Sequence, residues 1–447
     1  MASAAEQLAA NISWSTFSKA KELQQRIFFT LIILIVYRLG TYIPLPGIDP
    51  IALNSFLEQT RQGVLGVFNM FSGGAVGRMA IFALGIMPYI SASIIMQLMT
   101  TMVPSLEALK KEGEAGRKKI NQYTRYGTVI LATLQAYGIA FGLQSGPQPL
   151  ALEPGFFFMA SAVITLVGGT VMLMWLGEQI TARGVGNGIS LIIFVGIIAE
   201  LPAALSTFFT TQREVGNALI VIGVLLLAVG VVAFVVFVER AQRRVLIQYP
   251  QRQVGQKVFK GDSSHLPLKV NTAGVIPPIF ASSLLLMPAT IAGFQGAGGE
   301  AGLLTEVSAY LGRGSPLYMA LFAGLIIFFC FFYTAIVFNP QEVADNLKKH
   351  GGYVPGVKPG KNTAAYLDYV LTRLTVVGAA YLAFVCLLPE LLISSLNVQL
   401  FFYFGGTSIL IIVSVTMDTI SQVQSHLLAH QYEGLIKKSK LRGGRRK

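Results

Sequence analysis

An all-α polytopic membrane protein with ten transmembrane helices is the fold class this chain predicts, on three observations. Hydrophobic residues make up 53% of its 447 positions and charged residues only 12%, about half the charged share usual in water-soluble domains. Mean hydropathy is +0.62. The apolar residues also gather into runs long enough to cross roughly 30 Å of hydrocarbon at about 1.5 Å per residue. These runs fall near 24–43, 79–102, 123–143, 156–178, 188–208, 217–238, 271–293, 316–338, 372–389 and 401–420. An even number of spans places both termini on one side.

Loop charge then orients the chain. The terminal segments and alternate loops carry 29 of the 34 lysines and arginines. The opposite side has Arg61, Arg78, Arg213 and Arg313, and Arg38 falls within the first span. Since positive loops stay in the cytoplasm, both termini are expected there. Residues 1–23 read as a polar cytoplasmic segment. The first apolar run is followed by Tyr37-Arg38 rather than a small-residue cleavage site, so no cleavable signal is expected.

The stretch 64–97 departs from a plain span. Val64 to Phe71 is an apolar half-helix too short to cross the bilayer. It is followed by the break Ser72-Gly73-Gly74 and an apolar segment carrying Pro88, Ser91, Ser93 and Gln97. Such a half-helix must lie inside protein or line a watery cavity, because lipid cannot satisfy its backbone ends. Broken segments beside Pro- and Ser-bearing spans build pathways through membranes.

Two cytoplasmic loops exceed what topology needs. In 239–270, the alternating runs Arg244–Tyr249 and Gly255–Lys260 flank Pro250 and predict a basic β-hairpin. In 339–371, Lys348-Lys349 precede the Gly/Pro-rich tip 351–361. The tail 421–447 adds seven further cations. Projecting basic elements suit polyanionic partners such as ribosomal RNA, or an acidic protein patch.

Catalytic chemistry finds little footing. Gly356–Lys361 lacks the spacing and the Ser or Thr of a phosphate loop. Coupled carriers keep paired ionisable groups at mid-membrane, whereas Arg38, Glu178, Glu200, Glu390 and Asp418 fall near span ends, where snorkelling suffices. His426 and His430 lack a third metal ligand. Cys330 and Cys386 sit in apolar runs and form no disulfide framework. No catalytic set, cofactor site or metal site is expected.

The blocks FNMFSGG (68–74), IFALGIMPYISASIIMQL (81–98), KKEGEAGRKKINQYTRYGT (110–128), MWLGEQIT (174–181), GVGNGIS (184–190), HLPLKVNTAGVIPPIFASS (265–283), FFYTAIVFNPQEVADNLKK (331–349) and YFGGTSILI (403–411) resemble the bacterial SecY family, in order along the chain. The resemblance implies a protein-conducting channel with no enzymatic activity of its own. Its two pseudo-symmetric halves would be 24–208 and 217–420, joined by an external hinge at 209–216 around a central pore. A plug would occupy 64–74, with Val64, Phe68, Asn69, Met70, Phe71, Ser72, Gly73 and Gly74. The pore ring would fall on Ile86, Ile90, Ile189, Ile193, Ile279 and Ile411, an apolar collar able to close around a passing chain.

The resemblance also implies a lateral gate, spans two and three against seven and eight, with Ser91, Gln135 and Asn271 as its polar cluster. Pro277 and Pro278 favour a kink there. Partners by the same resemblance are SecE and SecG subunits, the SecA ATPase, ribosomes, signal sequences and nascent chains, and membrane lipid. The loop residues expected to meet SecA or ribosomal RNA are Arg243, Arg244, Arg252, Lys257, Lys348, Lys349, Lys358 and Lys361. Lys358 stands where the family commonly has arginine; it keeps the charge but lacks the planar fork.

Overall fold

The computed structural model describes residues 20–49, 53, 69–145, 150–215, 218–250, 252–254, 257–259, 263–295, 315–396 and 405–443. Its helices are α1 (Lys21–Gly40), α2 (Met87–Met102), α3 (Pro104–Lys111), α4 (Glu114–Ser145), α5 (Phe156–Arg183), α6 (Gly188–Val215) and α7 (Ala218–Arg240), then α8 (Ile276–Gln295), α9 (Pro316–Val337), α10 (Pro340–Lys349), α11 (Lys361–Leu396) and α12 (Gly406–Gly443). Four short strands lie between α7 and α8: β1 (Gln242–Gln248), β2 (Arg252–Val254), β3 (Lys257–Phe259) and β4 (Ser263–Lys269). Among the described residues eight helices are long and apolar enough to cross a membrane, nine if the bent pair α2–α3 is one span. The part of α8 from Ile276 to Leu285 adds a shorter apolar helix. The chain is a multi-pass membrane protein.

Two compact units divide it: residues 1–204, 286–308 and 415–447 form one, and 205–285 with 309–414 the other. In the first, α4 presents Ala132, Ala136 and Ala140 on one face, with Ile139 and Leu143 beside them. Across from it α5 brings Phe158, Ala162 and Leu166. Small residues at this spacing let helix backbones approach, and in lipid such packing replaces the hydrophobic drive that assembles soluble cores.

The second predicted span is corrected by the structure. Hydropathy runs unbroken through 79–102, yet residues 72–86 are turns and α2 begins only at Met87. The physical reason is local. Gly73, Gly74 and Gly85 adopt positive φ, as does Met79 at 42°, and Pro88 in the first turn of α2 favours helix initiation there. At the other end Val103-Pro104 breaks the helix, and α3 leaves at 97° to α2. The basic stretch 103–125, expected as loop, is therefore helical over most of its length, in α3 and the start of α4.

The predicted β-hairpin also pairs differently from expectation. β1 runs antiparallel to β4, with Gln242 opposite Lys269, while β2 pairs with β3, with Arg252 opposite Phe259. Both pairings share one register, so they are a single ribbon and its tip. The predicted partner of 244–249 was 255–260. Of that second run, Lys257–Phe259 pairs instead with Arg252–Val254. One face of the ribbon, with Val245, Leu266 and Leu268, packs on Val354, Leu367 and Val370. Outside the bilayer each such buried aliphatic side chain contributes about 1.5–3 kcal/mol.

The second loop joins this ribbon. Asn339 caps α10, its side-chain oxygen accepting from the backbone N–H groups of Gln341 (3.1 Å) and Glu342 (3.4 Å), with Pro340 in the first turn. Beyond α10, Tyr353 and Gln248 exchange two backbone hydrogen bonds of 2.9 Å. Thr363 Oγ1 donates to the Lys358 carbonyl at 3.0 Å, fastening the tip to α11. Ribbon, tip and α11 thus form one structured module.

Candidate functional site

Asn69 to Ile86 is the least ordinary segment of the first unit. Lipid cannot satisfy irregular backbone; here protein does. Leu45 N–H donates to Met79 O (2.8 Å) and Ile81 N–H to Ile43 O (2.9 Å), around an antiparallel bridge of Pro44 with Ala80. Asn69 Oδ1 accepts from Gly77 N–H at 2.7 Å, and its carbonyl from Gly74 N–H at 2.8 Å. Ser72 Oγ donates to Asn69 O (2.9 Å) and accepts from Val76 N–H (3.3 Å). Ala75, Met79 and Ala80 are fully enclosed.

The turn at Gly73-Gly74 is gripped by side chains. Gly73 O accepts from Arg38 Nη1 at 2.5 Å and from Arg78 Nη2 at 2.8 Å. Hydrogen bonds to charged donors contribute about 1.5–3 kcal/mol each. Glu200 Oε1, from α6, lies 3.5 Å from Arg78 Nη2 and 3.9 Å from Arg38 Nη2. The Tyr42 ring lies 5.1 Å from the Arg38 guanidinium and 4.2 Å from that of Arg78. Tyr37 Oη donates to Ser72 O at 3.3 Å. With φ at 67°, Gly73 takes a conformation other residues rarely adopt, and a Cβ there would sit 3.0 Å from Gly196 Cα of α6. A Cβ on Gly74 would run into Arg78 and Glu200. Sequence reading took Arg38 and Glu200 for interfacial charges; they act instead around this turn, and Arg78 with them.

Of the predicted site residues, Val64 and Phe68 lie outside the described residues. Asn69, Met70 and Phe71 form the last helical turn before Ser72. The six isoleucines share one placement, in the opening turns of helices. Ile86 precedes α2, and its carbonyl accepts the Ile90 N–H at 3.1 Å. Ile189 and Ile193 begin α6, Ile279 begins α8 and Ile411 begins α12. All but the half-buried Ile189 are buried. In the first unit they form two pairs four residues apart, each pair on one helix face. In the second unit, Ile279 O accepts from Ser282 Oγ (2.9 Å) and Ser283 Oγ (2.8 Å).

Ser91 and Gln135 sit on α2 and α4, and among the described residues no hydrogen bond joins them. Asn271 is buried in the turn before α8, its amide donating to Glu239 Oε1 (2.7 Å) and Gly274 O (3.1 Å). Its Oδ1 is buried without a partner among the described residues. A second tie was not foreseen: Arg125 of α4 meets Glu178 of α5 through two parallel bonds of 2.8 Å. On the basic module Arg243, Arg244, Lys348, Lys349, Lys358 and Lys361 are exposed, and Arg252 and Lys257 lie on β2 and β3.

Comparison with known proteins matches this architecture throughout. A family model for SecY fits residues 80–420. Protein translocase subunit SecY of Rickettsia conorii is 55% identical over 433 residues, which cover 95% of this chain and 99% of that protein. The subunit of the same name from Escherichia coli K12 is 56% identical, covering 94% of this chain and 96% of its own length. Among solved structures, a chain described as a protein-conducting channel superposes with a TM-score of 0.66 at 17% identity, covering 90% of this chain and 92% of its own. Sec61 in a canine ribosome–channel complex from the endoplasmic reticulum gives 0.62 at 16%, with the same coverage. With over half of it matched by the family model and its near-full-length relatives above 50% identity, the chain belongs to the SecY family.

Proposed function

We propose that this chain is the channel through which unfolded secretory polypeptides leave a bacterial cytoplasm, and from which apolar segments pass sideways into the plasma membrane. The observation that carries this reading is the segment 69–86: a buried, glycine-turned stretch stitched into a multi-pass protein of the SecY family. Its first residues, up to Gly74, would belong to the plug, 64–74. The collar would be Ile86, Ile90, Ile189, Ile193, Ile279 and Ile411, which lie just before or within the first two turns of their helices. A ring of apolar side chains dewets and closes around a passing chain without binding it.

Ser91, Gln135 and Asn271 would form the separable seam of the lateral gate, and the unpartnered Asn271 oxygen supports a contact that changes as the seam opens. The two halves, 24–208 and 217–420, would hinge about 209–216, with both termini in the cytoplasm. The chain would catalyse nothing itself. Driving force would come from a SecA motor or a ribosome docked on the basic module, with SecE and SecG as companion subunits; Sec61 in its ribosome-bound complex supports the ribosome among these. Site-specific crosslinking from Ile90 and Ile279 to a secretory chain stalled partway through export tests the proposal. Adducts at both positions that need a functional signal sequence are the expected result. No adduct with the chain stalled and the protein folded would reject it.

A further inference from the structure

The charges around Gly73 pose a problem that the plug assignment does not answer. Two guanidiniums, of Arg38 and Arg78, donate to one carbonyl oxygen at 2.5 and 2.8 Å. Like charges brought to a common acceptor repel, and the carbonyl carries only a partial charge to offset them. The Tyr42 ring face gives both some relief. A full negative charge comes from Glu200 alone among the described ion pairs of these arginines, its Oε1 at 3.5 and 3.9 Å. Glu200 does not touch the Gly73 carbonyl; it belongs to α6, separated by well over a hundred residues from the turn it faces.

We infer that Glu200 is a positioning residue of the seal: its carboxylate lets both arginines hold Gly73 at once, and so sets how firmly the segment 69–86 stays closed. This rests on the plug reading above. Without the carboxylate the guanidiniums separate, one leaves the Gly73 oxygen, and the turn loses half of its charged grip. Glu200 thereby acts on gating from a helix that the plug itself does not include.

The test is resting ion conductance of the full-length channel, purified with its companion subunits, in planar bilayers. Glu200→Gln keeps the shape and removes the charge; leak is expected to rise on the order of tenfold, as for loss of one charge-assisted hydrogen bond. Adding Arg38→Gln to that variant should raise leak no further, because a single arginine holds Gly73 in both variants. Two independent packing losses would add instead, so a double variant several-fold leakier than Glu200→Gln overturns the inference, as does an unchanged single variant. Amide hydrogen exchange over 69–86 should follow the same order, faster in Glu200→Gln and no faster again in the double variant, which keeps the test decisive if bilayer recordings fail. Deletion of 64–74 separates the two readings. If deletion leaves the resting channel tight, the plug reading falls; if deletion leaks and Glu200→Gln does not, only the role of Glu200 falls.

Discussion

Ile279 shows what a single side chain does in this fold. It stands in the first turn of α8, just after Pro277 and Pro278, and its carbonyl anchors Ser282 and Ser283. Its position is thus fixed by backbone, while its side chain is buried. Ile279→Asn puts an amide where the proposed collar must be dry. Resting conductance should rise and secretion should tolerate poorer signal sequences, both measurable in reconstituted vesicles; unchanged leak and unchanged signal selectivity would remove Ile279 from the collar. The isoleucine pairs 86/90 and 189/193 were visible in the sequence as four-residue spacings, though only family resemblance marked them among many isoleucines. Glu200 was not visible. Its partners are Arg38 and Arg78, distant in sequence, and a charge near a span end looks the same whether it snorkels or grips a turn.

Among the elements, the spans were legible because roughly 20 apolar residues at helix rise match the bilayer. The break at Ser72-Gly73-Gly74 was legible too, but residues 79–86 were not, since hydropathy reports apolarity and is blind to whether an apolar stretch is helical. The glycine turns at Gly73, Gly74 and Gly85 decide that. The β4 strand was missed for a related reason: Ser263, Ser264 and Pro267 dilute its alternation. The module that β4 completes depends on the paired backbones of Gln248 and Tyr353. Tyr353→Pro removes one of those N–H donors, and amide exchange in 351–357 should quicken while the spans stay protected. Lys358→Glu leaves that frame intact but inverts an exposed charge. Motor-driven export should drop in that variant with channel folding unchanged, read by ATP-dependent uptake into vesicles; normal uptake would exclude Lys358 from the docking surface.

For the molecule as a whole, charge segregation makes the sharpest claim. Twenty-nine of 34 cations fall on one set of loops and termini, and one miscounted span would scatter them. Reporter fusions at the end of α12 and in the tip at 351–360 should both read as cytoplasmic, and one at 146–149 as external. A mismatch at any of these would overturn the topology. The connection between loops and spans has a mechanical consequence. α7 passes into β1 within two residues, and β4 leads through the buried Asn271 turn directly into α8. The ribbon is an arm of about 23 Å, seven residues at strand rise, joined through one strand to α7 and through the other to the turn that begins α8. A pull on its tip would be shared between the packed face on Leu367 and Val370 and the turn that holds Asn271 just ahead of Ile279.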